Sequence, residues 1–109
     1  MYSGGCFKND TYHIGYVRAK TTESDLKKVT FEKFAPNGKF CPVIIKNEFE
    51  EGTGHHSVLK FNGEYFALYH ARDYDAKTTT ENTERRTARI CRLRVEDGVI
   101  IAERHPERL

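Results

Sequence analysis

The sequence contains no tryptophan, a single methionine and only three prolines. It has no apolar run of about 18 residues or more, the length that a membrane-spanning helix needs. The first ten residues, MYSGGCFKND, lack the apolar stretch of a secretory signal peptide. Heptads and long amphipathic stripes are missing as well, so neither a membrane protein nor an extended helical protein is expected.

Cysteine is also scarce. Cys6, Cys41 and Cys91 make an odd number, and no two of them form a CxxC pair. A disulfide framework is therefore not expected, and reduced thiols are typical of proteins inside the cell. Together with the missing signal peptide, this predicts a cytoplasmic location.

An excess of charge of either sign is the third absence. Eighteen basic residues against sixteen acidic ones leave a net charge of +2, which gives no electrostatic case for nucleic acid or anionic membrane as a partner. Five arginines do fall between Arg85 and Arg94. We interpret them as part of a solvated outer strand whose arginine stems cover apolar neighbours. A nucleic-acid-binding strand is the alternative, and it would bind in a salt-dependent manner.

Aromatic residues are plentiful in what remains. Seven phenylalanines and six tyrosines are too many for a disordered chain, although only 38% of the 109 residues are hydrophobic. A chain of this length has a thin core. This composition is typical of short β-strands in a sheet that has one face exposed to solvent.

Turn signals divide the chain into such strands. Residues 56–61 and 65–70 flank Asn62-Gly63-Glu64, and residues 87–95 and 99–102 flank Glu96-Asp97-Gly98. Asn-Gly and Asp-Gly are strong hairpin signals, so these four segments predict one antiparallel meander. Shorter runs at residues 12–19, 28–34 and 42–46 predict a similar unit in the first half, and residues 47–54 are interpreted as an acidic loop, as is the polar stretch 73–84. The pattern indicates an all-β protein, whether sandwich, barrel or propeller.

The ordered motifs in both halves resemble glycoside hydrolase family 43. The segment Gly52-Thr53-Gly54-His55-His56-Ser57-Val58 resembles the family's G-x-G-H-x-S segment. It is followed by an Asn-Gly turn, an aromatic strand and Tyr69-His70-Ala71. Tyr2-Ser3-Gly4-Gly5 and the strand at residues 12–19 are similar to the family's fourth blade, and Arg86, Arg89 and Asp97-Gly98 are similar to its last blade. The resemblance spans residues 2–100.

This resemblance implies part of a five-bladed β-propeller built from antiparallel four-stranded blades. Residues 1–50 would form a partial blade similar to blade 4, and residues 51–109 a blade similar to blade 5. The family's three catalytic carboxylates lie on the first three blades, with the general acid just upstream of the Tyr-Ser-Gly-Gly strand. Met1 stands where that upstream strand is expected, so no catalytic residue is assigned here.

The acidic residues of the chain give no substitute for the missing pair. An inverting glycosidase needs a protonated acid and an ionised base about 6.5–9.5 Å apart, the acid with a raised pKa. The candidates all lie in polar stretches that we interpret as solvated loops: Glu48, Glu50, Glu51, Asp73, Asp75, Glu81 and Glu84.

His55 is the first residue that the resemblance singles out for binding. The corresponding histidine in the family points into the channel, where it binds a calcium ion or a water shell beneath the sugar. Calcium prefers oxygen ligands, so waters would complete such a site. The alternative is a histidine that stabilises a buried turn. His56 follows directly, so on a strand its side chain would point to the face opposite to that of His55. For His70, an orientation towards the core and one towards the channel both stay open.

Arg86 resembles the family's arginine that reaches the sugar from the last blade, a role that suits the five donors of a guanidinium. An exposed arginine leading into a strand is the alternative. A register slip of one residue would exchange Arg86 with Arg85. Four aromatic residues are interpreted as core filling between blades rather than as a sugar-stacking surface: Tyr2, Phe40, Phe66 and Tyr69.

The function implied is that of a glycosidase fragment acting on arabinose- or xylose-containing glycans, inactive alone because the acid and base are missing. The implied partners are a pentose-containing glycan and either the absent N-terminal blades or further copies of the chain. The second interpretation is a non-catalytic carbohydrate-binding protein or an oligomeric scaffold. Two blades alone would have unpaired strand edges and an uncovered apolar face, and both features drive association, so a dimer or higher oligomer is expected.

Overall fold

The computed structural model describes residues 1–74 and 85–106. Within these ranges the chain is mostly β and forms no α-helix. The strands are β1 (Tyr2–Gly4), β2 (His13–Gly15), β3 (Val17–Arg18), β4 (Glu32–Lys33), β5 (Glu50–Phe61), β6 (Glu64–Asp73), β7 (Thr87–Glu96) and β8 (Val99–Glu103). Two single 3₁₀ turns, Leu26–Lys28 and Pro36–Gly38, lie between β3 and β5.

The second half forms one antiparallel sheet in the order β5-β6-β7-β8. The β5–β6 hairpin turns at Asn62 and Gly63 and the β7–β8 hairpin at Asp97 and Gly98, all four with positive φ. Two central residues with positive φ give the turn whose twist matches that of the paired strands. The predicted meander and both of its hairpins are therefore confirmed.

The first half is less regular than the second. β1 pairs with β2, and β3 pairs with β4, so that it contains two small two-stranded sheets. Of the apolar run at residues 42–46, only Ile44 makes a ladder contact, an isolated bridge to Ile14. Between β3 and β5 only β4 forms a ladder; two 3₁₀ turns interrupt this segment, and Pro36 and Pro42 have no backbone N–H to donate to a neighbouring strand.

The prediction of a loop over residues 47–54 is wrong in its second part. β5 begins at Glu50, and Glu50, Glu51 and Thr53 are buried. Of the polar stretch at residues 73–84, Asp73 ends β6 and the Tyr74 amide donates to the carbonyl oxygen of Phe49 at 2.9 Å, while residues 75–84 lie outside the described residues.

The four-stranded sheet has two different faces. One carries Ala67, Tyr69, Ala71, Cys91 and Leu93, which form the core together with Ile14 and Ile44 from the first half. We call this the packed face. Alternation and register place the following large apolar residues of β5, β6 and β7 on the other side, which we call the open face: Leu59, Phe61, Phe66, Leu68 and Ile90.

Long-range hydrogen bonds connect the first half to the sheet. The Thr53 hydroxyl, fully buried, lies 3.1 Å from the carbonyl oxygen of Tyr12 and 3.3 Å from that of Ile44. Arg18 donates to the carbonyl oxygen of Gly98 at 2.7 Å, and the Ile100 amide donates to the Tyr16 hydroxyl at 3.2 Å. The first half is thus connected to both the first and the last strands of the sheet.

Candidate functional site

A polar depression of about 580 Å³ lies where β5, β6 and β7 come together at one end of the open face. Its described lining comes from the middle of β5, the second half of β6 and the start of β7: His55, Ser57, Leu68, Tyr69, His70, Arg86, Thr87 and Ala88.

A bulge in β5 puts His55 at this depression. The register with β6 shifts between Gly54 and Ser57, and the backbone of His55 has a φ of 53°, in the left-handed region. A bulge re-aims the side chain of the extra residue. The His55 amide donates to the hydroxyl of Ser3 at 3.0 Å, and the His55 ring lies 5.8 Å from the His70 ring, centroid to centroid.

Gly54 allows the first half to reach the depression. Gly54 pairs with His70 across the ladder, and a Cβ on Gly54 would lie 2.1 Å from a ring carbon of Tyr12. No side chain fits at that distance, so only glycine leaves room for the Tyr12 ring. That ring in turn lies 5.8 Å from the ring of His70. The second glycine of the G-x-G-H motif therefore has a packing role in this chain.

His70 lies between the other polar groups of the depression. Its Nε2 is 3.4 Å from Nη1 of Arg86. Burial, the positive charge of Arg86 and the neighbouring His55 lower the pKa of His70 below its ordinary value of 6.5. The ring is thus neutral at pH 7, and a neutral ring accepts a hydrogen bond at Nε2 when its other nitrogen carries the proton.

The structure brings both predicted binding residues, His55 and Arg86, to the same depression. Arg85 is exposed and does not contribute to the lining described above. His56 contacts the first half instead, with Nδ1 3.4 Å from the Ser3 hydroxyl. His70 was not chosen from the sequence, although it belongs to the same Tyr-His-Ala motif that supported the resemblance.

The four aromatic residues have separate environments. Tyr69 belongs to the core cluster, and Phe66 is on the open face. Tyr2 and Phe40 both pack edge-on against His13, at centroid distances of 6.4 and 4.8 Å. They therefore form no single stacking surface.

The expectation of a solvated loop is wrong for Glu50, which is the centre of a buried charge cluster. Its carboxylate accepts hydrogen bonds from the Tyr69 hydroxyl at 2.6 Å, from Nε of Arg104 at 2.7 Å and from Nη1 of Arg89 at 3.2 Å. A buried charge is tolerated only when it is paired and hydrogen-bonded, and three donors meet that condition. Burial and the Glu50 carboxylate raise the pKa of Tyr69.

The other acidic candidates have different environments. Glu51 is also buried, contrary to expectation. Its charge is compensated there by the buried Arg72, whose Nε lies 3.4 Å from the Glu51 carboxylate. Glu48 is exposed as expected. Asp73 is exposed but ends β6 and pairs with Arg89 at 3.0 Å. The remaining three lie outside the described residues: Asp75, Glu81 and Glu84.

The arginines between 85 and 94 do not form a solvated outer strand as expected. β7 is an inner strand with a neighbour on each side, and Arg89 is buried against Glu50. Arg92 pairs with Glu64, and Arg94 pairs with Glu96 and Glu103. Because acidic partners neutralise Arg89, Arg92 and Arg94, the cluster offers little net charge to a polyanion.

The side chains described at the depression do not by themselves fit a calcium ion. Calcium takes six to eight oxygen ligands, most of them carboxylate or carbonyl oxygens. His55 and His70 offer nitrogen, and the Arg86 guanidinium adds a positive charge. Among residues 1–74 and 85–106, no group of three His, Cys, Asp or Glu side chains is placed to hold a metal ion.

The comparisons with known proteins found no match: no family model, no curated protein and no solved structure matches this chain. In the described ranges there is also no helix long and apolar enough to cross a membrane.

Proposed function

We propose that this chain contributes the wall of a sugar site in a glycosidase similar to family 43, binding an arabinose- or xylose-containing glycan without performing hydrolysis by itself. The five-bladed propeller is part of this proposal, and the antiparallel four-stranded sheet in the order β5-β6-β7-β8 is the coarser feature that supports it. The three free cysteines support a reducing, cytoplasmic location.

The observation that carries the proposal is the meeting of His55 and Arg86. The two residues are 31 positions apart in the sequence, and each was singled out separately. Both line one depression, with His70 between them. A guanidinium donor, a neutral imidazole and the Ser57 hydroxyl provide the donors and acceptors that a sugar's hydroxyl groups require.

Hydrolysis needs two carboxylates on opposite sides of the scissile bond. None of the described residues that line the depression is a carboxylate. Glu50 is fully buried and holds Tyr69, Arg89 and Arg104, so it cannot reach a substrate. We therefore expect no release of nitrophenol from chromogenic arabinosides or xylosides by this chain alone.

The proposal is tested by titrating arabino- and xylo-oligosaccharides into isotope-labelled protein and following the ring signals of His55 and His70 by NMR. Binding at the depression shifts both signals. Arg86→Gln is expected to weaken binding about tenfold or more, because a hydrogen bond to a charged group is worth about 1.5–3 kcal/mol.

Arg85→Gln is the matched control, since it removes the same charge at an adjacent, exposed position. Equal losses in both variants, or unchanged ring signals at saturating sugar, would contradict a sugar site here. Calcium stays a separate prediction. It is tested by repeating the titration with calcium and with a chelator.

A non-catalytic carbohydrate-binding or scaffold protein that forms homo-oligomers is the second candidate. It is favoured by the exposure of Leu59, Phe61 and Leu68 on the open face, because large exposed apolar patches drive association. The intact mass of the native gene product separates the two candidates. A mass near 12.6 kDa favours the scaffold, and a mass two to three times larger favours the glycosidase fragment.

A further inference from the structure

We propose that the open face of the four-stranded sheet is an interface at which two copies of this chain pack face to face. This inference rests on the oligomeric candidate above and adds to it the surface and the partner. It does not depend on sugar binding, because Leu59, Phe61 and Phe66 lie outside the described lining of the polar depression, which Leu68 borders.

The apolar residues of the open face are continuous across three strands. Leu59 lies opposite Phe66, and Leu68 lies opposite Ile90. Directly opposed residues have Cβ atoms about 4.5–5.5 Å apart, so these side chains touch and form one patch. Leu59 is 37% exposed, Leu68 38% and Phe61 64%, which are high values for the middle of a sheet face. The described residues of the first half that join the core pack on the other face.

The charge around this patch favours an identical partner. Arg92 pairs with Glu64 within the chain, and Arg94 pairs with Glu103. Lys60 lies opposite Tyr65 and belongs to the packed side. Next to the apolar centre, the open face therefore carries two arginines, Arg92 and Arg94, whose charges are already neutralised. A second copy that presents the same surface meets no unbalanced like charge, which is the requirement for a two-fold symmetric contact.

The size of the face sets the expected strength. Ten residues of strand span roughly 33 Å, and three strands span roughly 14 Å, which gives a flat area of about 450 Å² per copy. Two copies then bury about 900 Å² before side-chain relief is counted, close to the minimum of about 1,000 Å² for a specific interface. We therefore expect a reversible dimer with a dissociation constant in the micromolar range.

Leu59 and Val58 provide a matched pair of substitutions. They are neighbours on β5, both are exposed, and alternation points them to opposite faces of the sheet. Mass is measured by light scattering coupled to gel filtration, from about 1 to about 100 µM, the range that brackets a micromolar constant. The wild-type chain is expected to approach twice 12.6 kDa at the upper end.

Leu59→Asp is expected to weaken the dimer at least about tenfold, because it buries a charge in the apolar centre. Val58→Asp is expected to leave the dissociation constant within about twofold. A wild-type chain that stays monomeric at the highest concentration overturns the proposal. Equal weakening by both substitutions also overturns it, because the contact would then lie elsewhere.

A measurement on the wild-type chain covers the case in which Leu59→Asp fails to fold. Methyl signals are recorded with a soluble paramagnetic agent at low and at high protein concentration. Protection of Leu59, Leu68 and Ile90 that grows with concentration supports the interface, whereas growing protection of Val58 and Val95 overturns it.

The sugar titration keeps this proposal separate from the proposed function. Arg86→Gln changes the depression and leaves Leu59, Phe61 and Phe66, which do not line it, intact. A chain that dimerises but does not bind sugar contradicts only the proposed glycan site. A chain that binds sugar but stays monomeric contradicts only the proposed dimer.

Discussion

Single residues in this chain have environments that their local sequence does not suggest. Glu50 follows a polar stretch, yet it is the most interconnected carboxylate among the described residues, with Tyr69, Arg89 and Arg104 around it. Its partners lie 19, 39 and 54 positions away. Arg104 forms an ion pair with Glu50, and Arg89 forms ion pairs with both Glu50 and the exposed Asp73. Glu50 therefore stabilises the end of the sheet rather than taking part in chemistry.

Neutralising Glu50 should be costly. Glu50→Gln keeps the shape of the side chain but removes the counter-charge that Glu50 gives to the partly buried Arg104, and it leaves the buried Arg89 with only the exposed Asp73. We expect a loss of about 3–5 kcal/mol in the free energy of unfolding, the usual cost of breaking a buried pair. Urea unfolding followed by circular dichroism measures it.

Glu48→Gln is the control, two positions earlier and exposed. We expect it to change the free energy by less than about 0.5 kcal/mol. A similar small effect of Glu50→Gln would mean that the cluster is open to solvent and does not stabilise the fold.

At the level of the elements, β5 joins the two halves of the molecule. Thr53 bonds to the carbonyls of Tyr12 and Ile44, and Gly54 makes room for the Tyr12 ring. The bulge that follows turns His55 towards His70. One short segment thus fixes the first half and shapes the depression.

The contact between Gly54 and the Tyr12 ring predicts that substitutions at these two positions have coupled effects on stability. Gly54→Ala places a methyl group in the Tyr12 ring and should cost about 1–3 kcal/mol of stability through overpacking. Tyr12→Ala in the same chain should restore part of that loss. The double-mutant cycle, measured by urea unfolding, gives the coupling energy.

The NMR signals of His70 should move in Gly54→Ala, because the displaced Tyr12 ring packs against His70. Strictly additive effects of the two substitutions would show that Tyr12 is not held at this position.

The elements also show how much of the fold could be predicted from the sequence. The two hairpins were predictable because Asn62-Gly63 and Asp97-Gly98 fix the turns and the flanking residues alternate. The burial of Glu50 and Glu51 was not, because local pattern treats charged residues as solvent-exposed and cannot show distant arginines. His70 was missed for a similar reason, since only the register of β5, β6 and β7 brings it between His55 and Arg86.

At the level of the whole molecule, the protein consists of one well-paired sheet and a loosely paired first half packed against one of its faces. The core is small and is confined to the packed face. Stability is thus expected to depend on a few specific contacts and on the solution conditions that preserve them.

The pH dependence of stability follows from two histidines. Burial lowers the pKa of His56 and His70 in the folded chain, and nearby positive charge lowers each further, whereas the unfolded chain takes up protons near pH 6.5. Below that value the unfolded state binds more protons. The free energy of unfolding should therefore fall as the pH drops below about 6.5 towards the folded pKa values.

Urea unfolding at about pH 7.5 and about pH 5.5 measures this loss of stability, and the interval lies above the range in which most carboxylates titrate. His70→Gln should reduce the difference between the two conditions. An unchanged difference would show that His70 ionises alike in both states.

The bonds from Arg18 to Gly98 and from Ile100 to Tyr16 join residues 80 and 84 positions apart. A ribosome synthesises the first half long before the residues that hold it in place. Residues 1–50 therefore emerge without their support, while the four-stranded sheet needs only its own hairpins to form. Productive folding of the first half is then expected only after residues 98–100 have been synthesised, and the nascent first half is the stage at which a chaperone would be needed.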